Sequence, residues 1–188
     1  MSYGQNVSDV TASKPATGGA VRRAPLGTTA PTDASSTLGN AFIPLGYISD
    51  DGLTHSFSPS SETVKSWGGD IVYAYSSERP ETYKAKFIEA LNEEVLKVVY
   101  GNSNVTVDGS TGQISVNHNP SDLEEAVYVI DEVLRNGALR RTVIPRGKPT
   151  TIGDDDRSDT GITGYDITLT CMADAAGNSS YEYILPAS

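Results

Sequence analysis

Two histidines, one cysteine and a run of acids are the residues from which this sequence could build a reactive centre. His55 falls in an alternating segment with Leu53 and Phe57, and His118 follows another, between Asn117 and Asn119. Neither has a second histidine at helical or hairpin spacing, so the pattern favours structural or exposed rings over a metal ligand or general base. Cys171 alternates with Ile167 and Leu169, as a buried and unreactive thiol does. Asp154-Asp155-Asp156, with Asp159 and Gly161, has the look of a calcium loop. Counted from Asp156, however, the position that needs a bidentate glutamate is Ile167. The segment therefore reads as a solvated acidic loop. Gly147-Lys148-Pro149-Thr150 lacks the upstream glycine and following helix of a phosphate loop. Gly109-Ser110-Thr111-Gly112 is a turn rather than a nucleophile elbow. Tyr73, Tyr75 and Tyr83 could stack on bases or sugars, but on alternating strands they fit a core or an interface better. No catalytic, cofactor or metal constellation emerges.

Composition narrows the field further. Over 188 residues, 14 basic and 24 acidic side chains give a net charge of −10. No run of Lys or Arg exceeds two, at Arg22-Arg23 and Arg140-Arg141. A duplex binder needs clustered cations to displace counterions from phosphates, so general nucleic-acid binding is disfavoured, as is an anionic membrane surface. A single cysteine suits a reducing compartment. The polar start, MSYGQNVSDVTASKPATGG, is not a signal peptide, and no apolar window is long enough to span a membrane. Asn104-Val105-Thr106 and Asn178-Ser179-Ser180 are then not glycosylation sites in practice.

The elements that must position these residues are mostly strands. Residues 1–16 show no period and read as a mobile arm, followed by a single domain over 17–188. A short strand over Gly19–Ala24 leads into a long polar connection. Ala41–Ser49 reads as a strand weakened by Pro44, Asp50-Asp51-Gly52 as a turn, and Leu53–Ser58 as another strand. Ser58 and Pro59 offer the cap and first position of a short helix that Gly68-Gly69 would end. Asp70–Glu78 and Glu81–Ala90 alternate, the second with Tyr83, Ala85 and Phe87 on one face, and read as a hairpin. Asn92–Gly101 is the clearest helix: Asn92 caps it, Glu93 and Glu94 lie in its first turn, and Gly101 stops it. Val95, Leu96, Val98 and Val99 crowd one side, which should pack on the sheet. Asn104–His118 reads as a second hairpin. Glu124–Leu134 fits either helix or strand, and Asn136-Gly137 favours a strand in a hairpin with Ala138–Gly147. Residues 145–164 read as a long polar loop, Tyr165–Asp174 as a strand, and Asn178–Ala187 as a last strand or an arm. The class is mainly β, a sandwich or barrel-like fold with one flanking α-helix.

An ordered set of segments then carries a resemblance. Gly46-Tyr47-Ile48-Ser49-Asp50-Asp51-Gly52, Lys65-Ser66-Trp67-Gly68-Gly69-Asp70 and Glu93-Glu94-Val95-Leu96-Lys97-Val98-Val99-Tyr100-Gly101 occur in that order. With them the chain resembles the major tail proteins, or tail tube proteins, of bacteriophages with long, non-contractile tails, most of all those of phages infecting actinobacteria. The resemblance extends, more loosely at its end, over residues 18–175.

That resemblance implies a structural virion protein and no enzyme. Six subunits would form a ring, and rings would stack helically into a tube through which DNA is ejected into the host. No cofactor is implied. The implied partners are other copies of the chain, the tape measure protein, the tail terminator and distal tail proteins. DNA would cross the lumen without specific binding, and no membrane is involved. The protein would be made in the bacterial cytoplasm and reside in the virion tail. Within it, contacts between subunits are expected from the 17–40 segment, with Arg22 and Arg23, and from the loop at 145–164, with Asp154, Asp155, Asp156, Arg157 and Asp159. The net charge leads to the expectation of an acidic inner wall that repels DNA. Two other readings compete: a carbohydrate or virion-surface binding module that uses the tyrosines, and a hydrolase with scattered acids.

Overall fold

A nine-residue run, Ala126–Leu134, lies at the centre of the protein and is buried along most of its length. Its neighbours on both sides are strands and both of its faces are covered, which explains why its apolar pattern is continuous rather than alternating. The computed structural model describes residues 6–187. In chain order the strands are β1 (Ser13–Pro15), β2 (Val21–Pro25), β3 (Ile43–Pro44), β4 (Ile48–Phe57), β5 (Ser60–Lys65), β6 (Ile71–Glu78) and β7 (Glu81–Phe87). Helix α1 (Glu93–Tyr100) follows, then β8 (Val105–Val107), β9 (Ile114–Val116), β10 (Ala126–Leu134), β11 (Leu139–Ile152), β12 (Tyr165–Cys171) and β13 (Tyr181–Leu185).

Nine of the strands form one antiparallel sheet in the order β3-β2-β10-β11-β12-β7-β4. β1 continues the β2 side of β10, and β13 continues the β12 side of β11. The sheet curls so that inward residues of distant strands meet in one core: Val21, Tyr83, Phe87, Tyr128, Ile130, Ile144, Ile167 and Leu169. α1 closes this core with Val95, Leu96, Val98 and Val99, all buried. Asn92 caps the helix as its sequence predicts, its side chain accepting from the Glu94 amide, and Gly101 ends it at φ 94°. The opposite face of β10 and β11 carries Val127, Val129 and Val143, and these pack with Ala24 and Phe42 in a second, smaller core. Segment 26–42 lies over that face with Ala30 and Leu38. The polar connection expected to reach outward is therefore folded back on its own sheet.

The mainly β class and the single α-helix hold among the described residues. Several local expectations do not. The helix expected from Ser58 is strand β5: Thr63 and Val64 are β-branched, and β5 pairs along β6 from Ser60↔Glu78 to Lys65↔Ile71. β6 and β7 are not a hairpin. β7 pairs with β4 and β12 instead, because its Tyr83–Ala85–Phe87 face belongs to the core. The turn expected at Asp50-Asp51-Gly52 is a bulge inside β4, whose pairing with β7 jumps between Ile48 and Leu53. The long loop expected over 145–164 is half strand. β11 runs on to Ile152, and the loop proper spans 153–164. Of the arm expected over 1–16, residues 1–5 lie outside the described residues, while Ser13–Pro15 pair with β10.

Candidate assembly interface

β5 and β6 stand apart from the main sheet. They pair with each other and with no third strand, and every residue of both is exposed. A lone two-stranded ribbon is marginal in water unless something covers it. This one carries Val64, Tyr73 and Tyr75 on one face, with Val64 opposite Tyr73 and the two tyrosine rings 6.0 Å apart. Ile71 and Val72 are each 63% exposed, and Trp67, at the tip, is fully open to solvent. The tip is shaped by a Ser66–Asp70 turn in which the Gly69 amide donates to the Ser66 carbonyl at 2.9 Å and Gly69 adopts φ 93°. A contiguous apolar ribbon of this kind marks a surface made for another molecule.

The sequence singled out Tyr73 and Tyr75 but not Trp67, Val64 or Val72. A signal was present. Ile71-Val72-Tyr73-Ala74-Tyr75 is apolar at every position, as in a strand covered on both faces.

The chemistry-bearing side chains lie elsewhere. His55 Nε2 is 2.9 Å from Glu81 Oε1, and the ring stacks on Tyr83 at 4.4 Å. Ser179 and Ser180 both donate to Glu81, not to His55, so the hydroxyls have no base and the group is no nucleophilic triad. It works as a latch between β7 and the C-terminal segment. Burial raises the Glu81 pKa, but the hydrogen bonds of Ser179, Ser180 and His55 outweigh it and hold the carboxyl below its ordinary value. Cys171 is buried, and desolvation with the nearby Glu81 charge pushes its thiol up to about 12, far from a reactive thiolate. His118 rests edge-on against Tyr100 at 4.6 Å. Among the described residues no three metal-ligating side chains stand together.

The residues expected at subunit contacts fall into two groups. Arg22 bonds Asp131 Oδ2 at 3.1 Å. Arg23 is 8% exposed and ties β2 to the far end of α1, donating to Asn102 at 2.9 Å with Glu94 and Glu124 each at 3.9 Å. Both act inside their own protomer. Asp154, Asp156, Arg157 and Asp159 are exposed on the 153–164 loop. Asp155 is half-buried beneath them, its Oδ2 held by Arg157 at 2.7 Å. Arg140, Arg141 and Arg146 are likewise ion-paired, with Glu132, Asp131 and Glu125. No open basic patch forms from these arginines.

One more feature lies at the end of β4 opposite the hairpin: a cavity of about 590 Å³ between segment 13–20, the bulged start of β4 and the entry to α1.

Residues 6–188 match the phage tail tube protein family, and the chain belongs to it. No curated protein matches it. The protein is thus a structural component of the phage virion, a tail subunit that assembles with its own copies into the tail tube, and the family is not one of enzymes. No helix among the described residues is long and apolar enough to cross a membrane.

Proposed function

We propose that six copies of this chain close into a ring, that rings stack helically, and that the resulting tube conducts DNA into the host during ejection from a long, non-contractile tail. The observation that carries this reading is the isolated β5–β6 hairpin, whose exposed Val64, Trp67, Ile71, Val72, Tyr73 and Tyr75 have no cover within their own chain. A neighbouring subunit is the cover that a tube always supplies. The exposed acids of the 153–164 loop, Asp154, Asp156 and Asp159, form a second contact between subunits with Arg157, and Asp155 shapes it from below. Arg22, partly exposed, can contribute at the same rim as the 17–40 segment; Arg23 supports that segment from within. DNA passes without specific binding: Arg22, Arg140, Arg141 and Arg146 are each engaged by a carboxylate, and phosphates are held by clustered free cations. The wall of the channel is net acidic. The tape measure protein, the tail terminator and distal tail proteins occupy the lumen and the two ends, and the host is an actinobacterium.

Negative-stain electron microscopy of the purified protein tests the reading. Six-fold end views and stacked rings are expected. Compact monomers at every concentration, or rings of another order, would overturn it.

A further inference from the structure

We infer that Trp67 of one copy seats in the cavity beside β4 of the next copy along the tube axis. This rests on the stacking reading above and adds to it which two surfaces meet. The argument begins with direction. β4 starts at the cavity, with Ile48 and Leu53 in its wall, and ends at Phe57, where the hairpin departs. β7 runs back from the hairpin, at Glu81, to Phe87 and the cavity side at Glu89. Knob and hole thus sit at opposite ends of the same pair of strands. Each strand of the hairpin adds roughly 20 Å of reach beyond the body. A projection at one end and a complementary recess at the other make a head-to-tail contact, the kind that repeats along an axis without closing.

The chemistry of the two surfaces also matches. The cavity wall is largely apolar, with Ala16, Pro44, Ile48 and Leu53, and its volume of about 590 Å³ admits an indole with its flanking turn. Glu89 lines the same cavity, its carboxylate held by the Tyr47 amide and the Asn92 side chain, both at 2.9 Å, and by no cation among the described residues. Lys65, two residues before Trp67 and exposed, brings the missing positive charge. A tryptophan that is fully exposed at a projecting tip gains more from such a recess than any other side chain of the hairpin.

The chain has one tryptophan, so its fluorescence reports the burial of Trp67. On tube formation by the wild-type protein, the emission should shift to the blue and acrylamide should quench it several-fold less. Tubes whose tryptophan emission and quenching stay those of the monomer would overturn the inference and leave the stacking reading standing. Absence of tubes would remove the stacking reading, and this inference with it. Thr17→Tyr, at an exposed position on the cavity rim, should keep the monomer's circular dichroism, leave Trp67 solvent-exposed and stop stacking. Trp67→Ala should stop stacking too. Mixing the two variants should restore a single layer-to-layer contact, because one supplies the knob and the other the hole. Tubes of wild-type length from either variant alone would refute the assignment.

Discussion

Arg141 and Asp131 face each other directly across β11 and β10, with Nε to Oδ1 at 2.6 Å, and both are almost fully buried. The pair does more than neutralise itself. Arg22 takes the other carboxylate oxygen at 3.1 Å, and Arg141 Nη1 donates to the backbone carbonyls of Asp33 and Ser36 at 3.1 and 2.9 Å. One guanidinium therefore holds segment 26–42 onto the second face of the sheet.

Replacing that guanidinium leaves a buried carboxylate with half its compensation and two carbonyls without donors. Arg141→Ala should cost about 3–5 kcal/mol in urea denaturation. It should also expose 30–40 to proteolysis in the native state, whereas Arg140→Ala, at a more exposed pair, should cost about 1 kcal/mol or less.

Acid should loosen the C-terminal strand before the rest of the protein. The Glu81 carboxyl has a folded pKa below its ordinary value, so its ionised form stabilises the fold above the unfolded pKa. That contribution is lost as pH falls through the folded pKa. Amide exchange in β13 should be unchanged around neutrality and accelerate on the acid side of the ordinary glutamate range. Glu81→Gln should remove most of that acid dependence; an unchanged acid limb would separate Glu81 from the latch.

Gly46 should tolerate no side chain. It has φ 78°, and a Cβ there would run into the Glu89 carboxylate that caps the Tyr47 amide. Gly46→Ala should lose about 1–3 kcal/mol from backbone conformation alone. The collision should add to this, which thermal unfolding can measure.

Leu96 tests the helix. Leu96→Ala should cost about 2–5 kcal/mol by removing core volume. Below the lowered melting temperature tube formation should persist, because α1 packs inward on the sheet.

The 153–164 loop can be tested only within narrower limits than its sequence suggests, since residues 145–152 belong to β11. Removing 155–161 with a short glycine bridge should leave the monomer's thermal midpoint nearly unchanged and reduce tube length in electron micrographs.

How legible all this is in the sequence varies with the range of the interaction that decides it. α1 is legible because its signals are local: Asn92, Glu93, Glu94 and Gly101 each act within a turn or two. β12 and β7 are legible from their alternation, and the β10–β11 hairpin from Asn136-Gly137. The partner of β7 is not, because Tyr83, Ala85 and Phe87 say that one face is buried but not against which strand. β11 is concealed by Pro145, Gly147 and Pro149. The sheet accepts them because the pairing shifts register between Ala126 and Tyr128 on one side and between Pro149 and Thr151 on the other. Gly147 is needed there because a Cβ would press into the Tyr128 ring. At Ser58-Pro59-Ser60 the helix-start signal is real but local, and pairing with β6 overrides it. Arg22 and Arg23 are expected at contacts between subunits; their acidic partners within the chain, more than 70 residues away in sequence, are invisible to a local pattern.

The hairpin has a consequence for variation among related tails. Because β5 and β6 pair with no other strand among the described residues and are exposed throughout, substitutions there leave the core, both sheet faces and the helix undisturbed. The residues from Ser60 to Glu78 answer to the neighbour alone. Two chains with the same body and different hairpins would each fold normally, yet refuse to build a mixed tube. Recognition of self could thus drift quickly in a cell infected by two phages, without either losing a stable subunit.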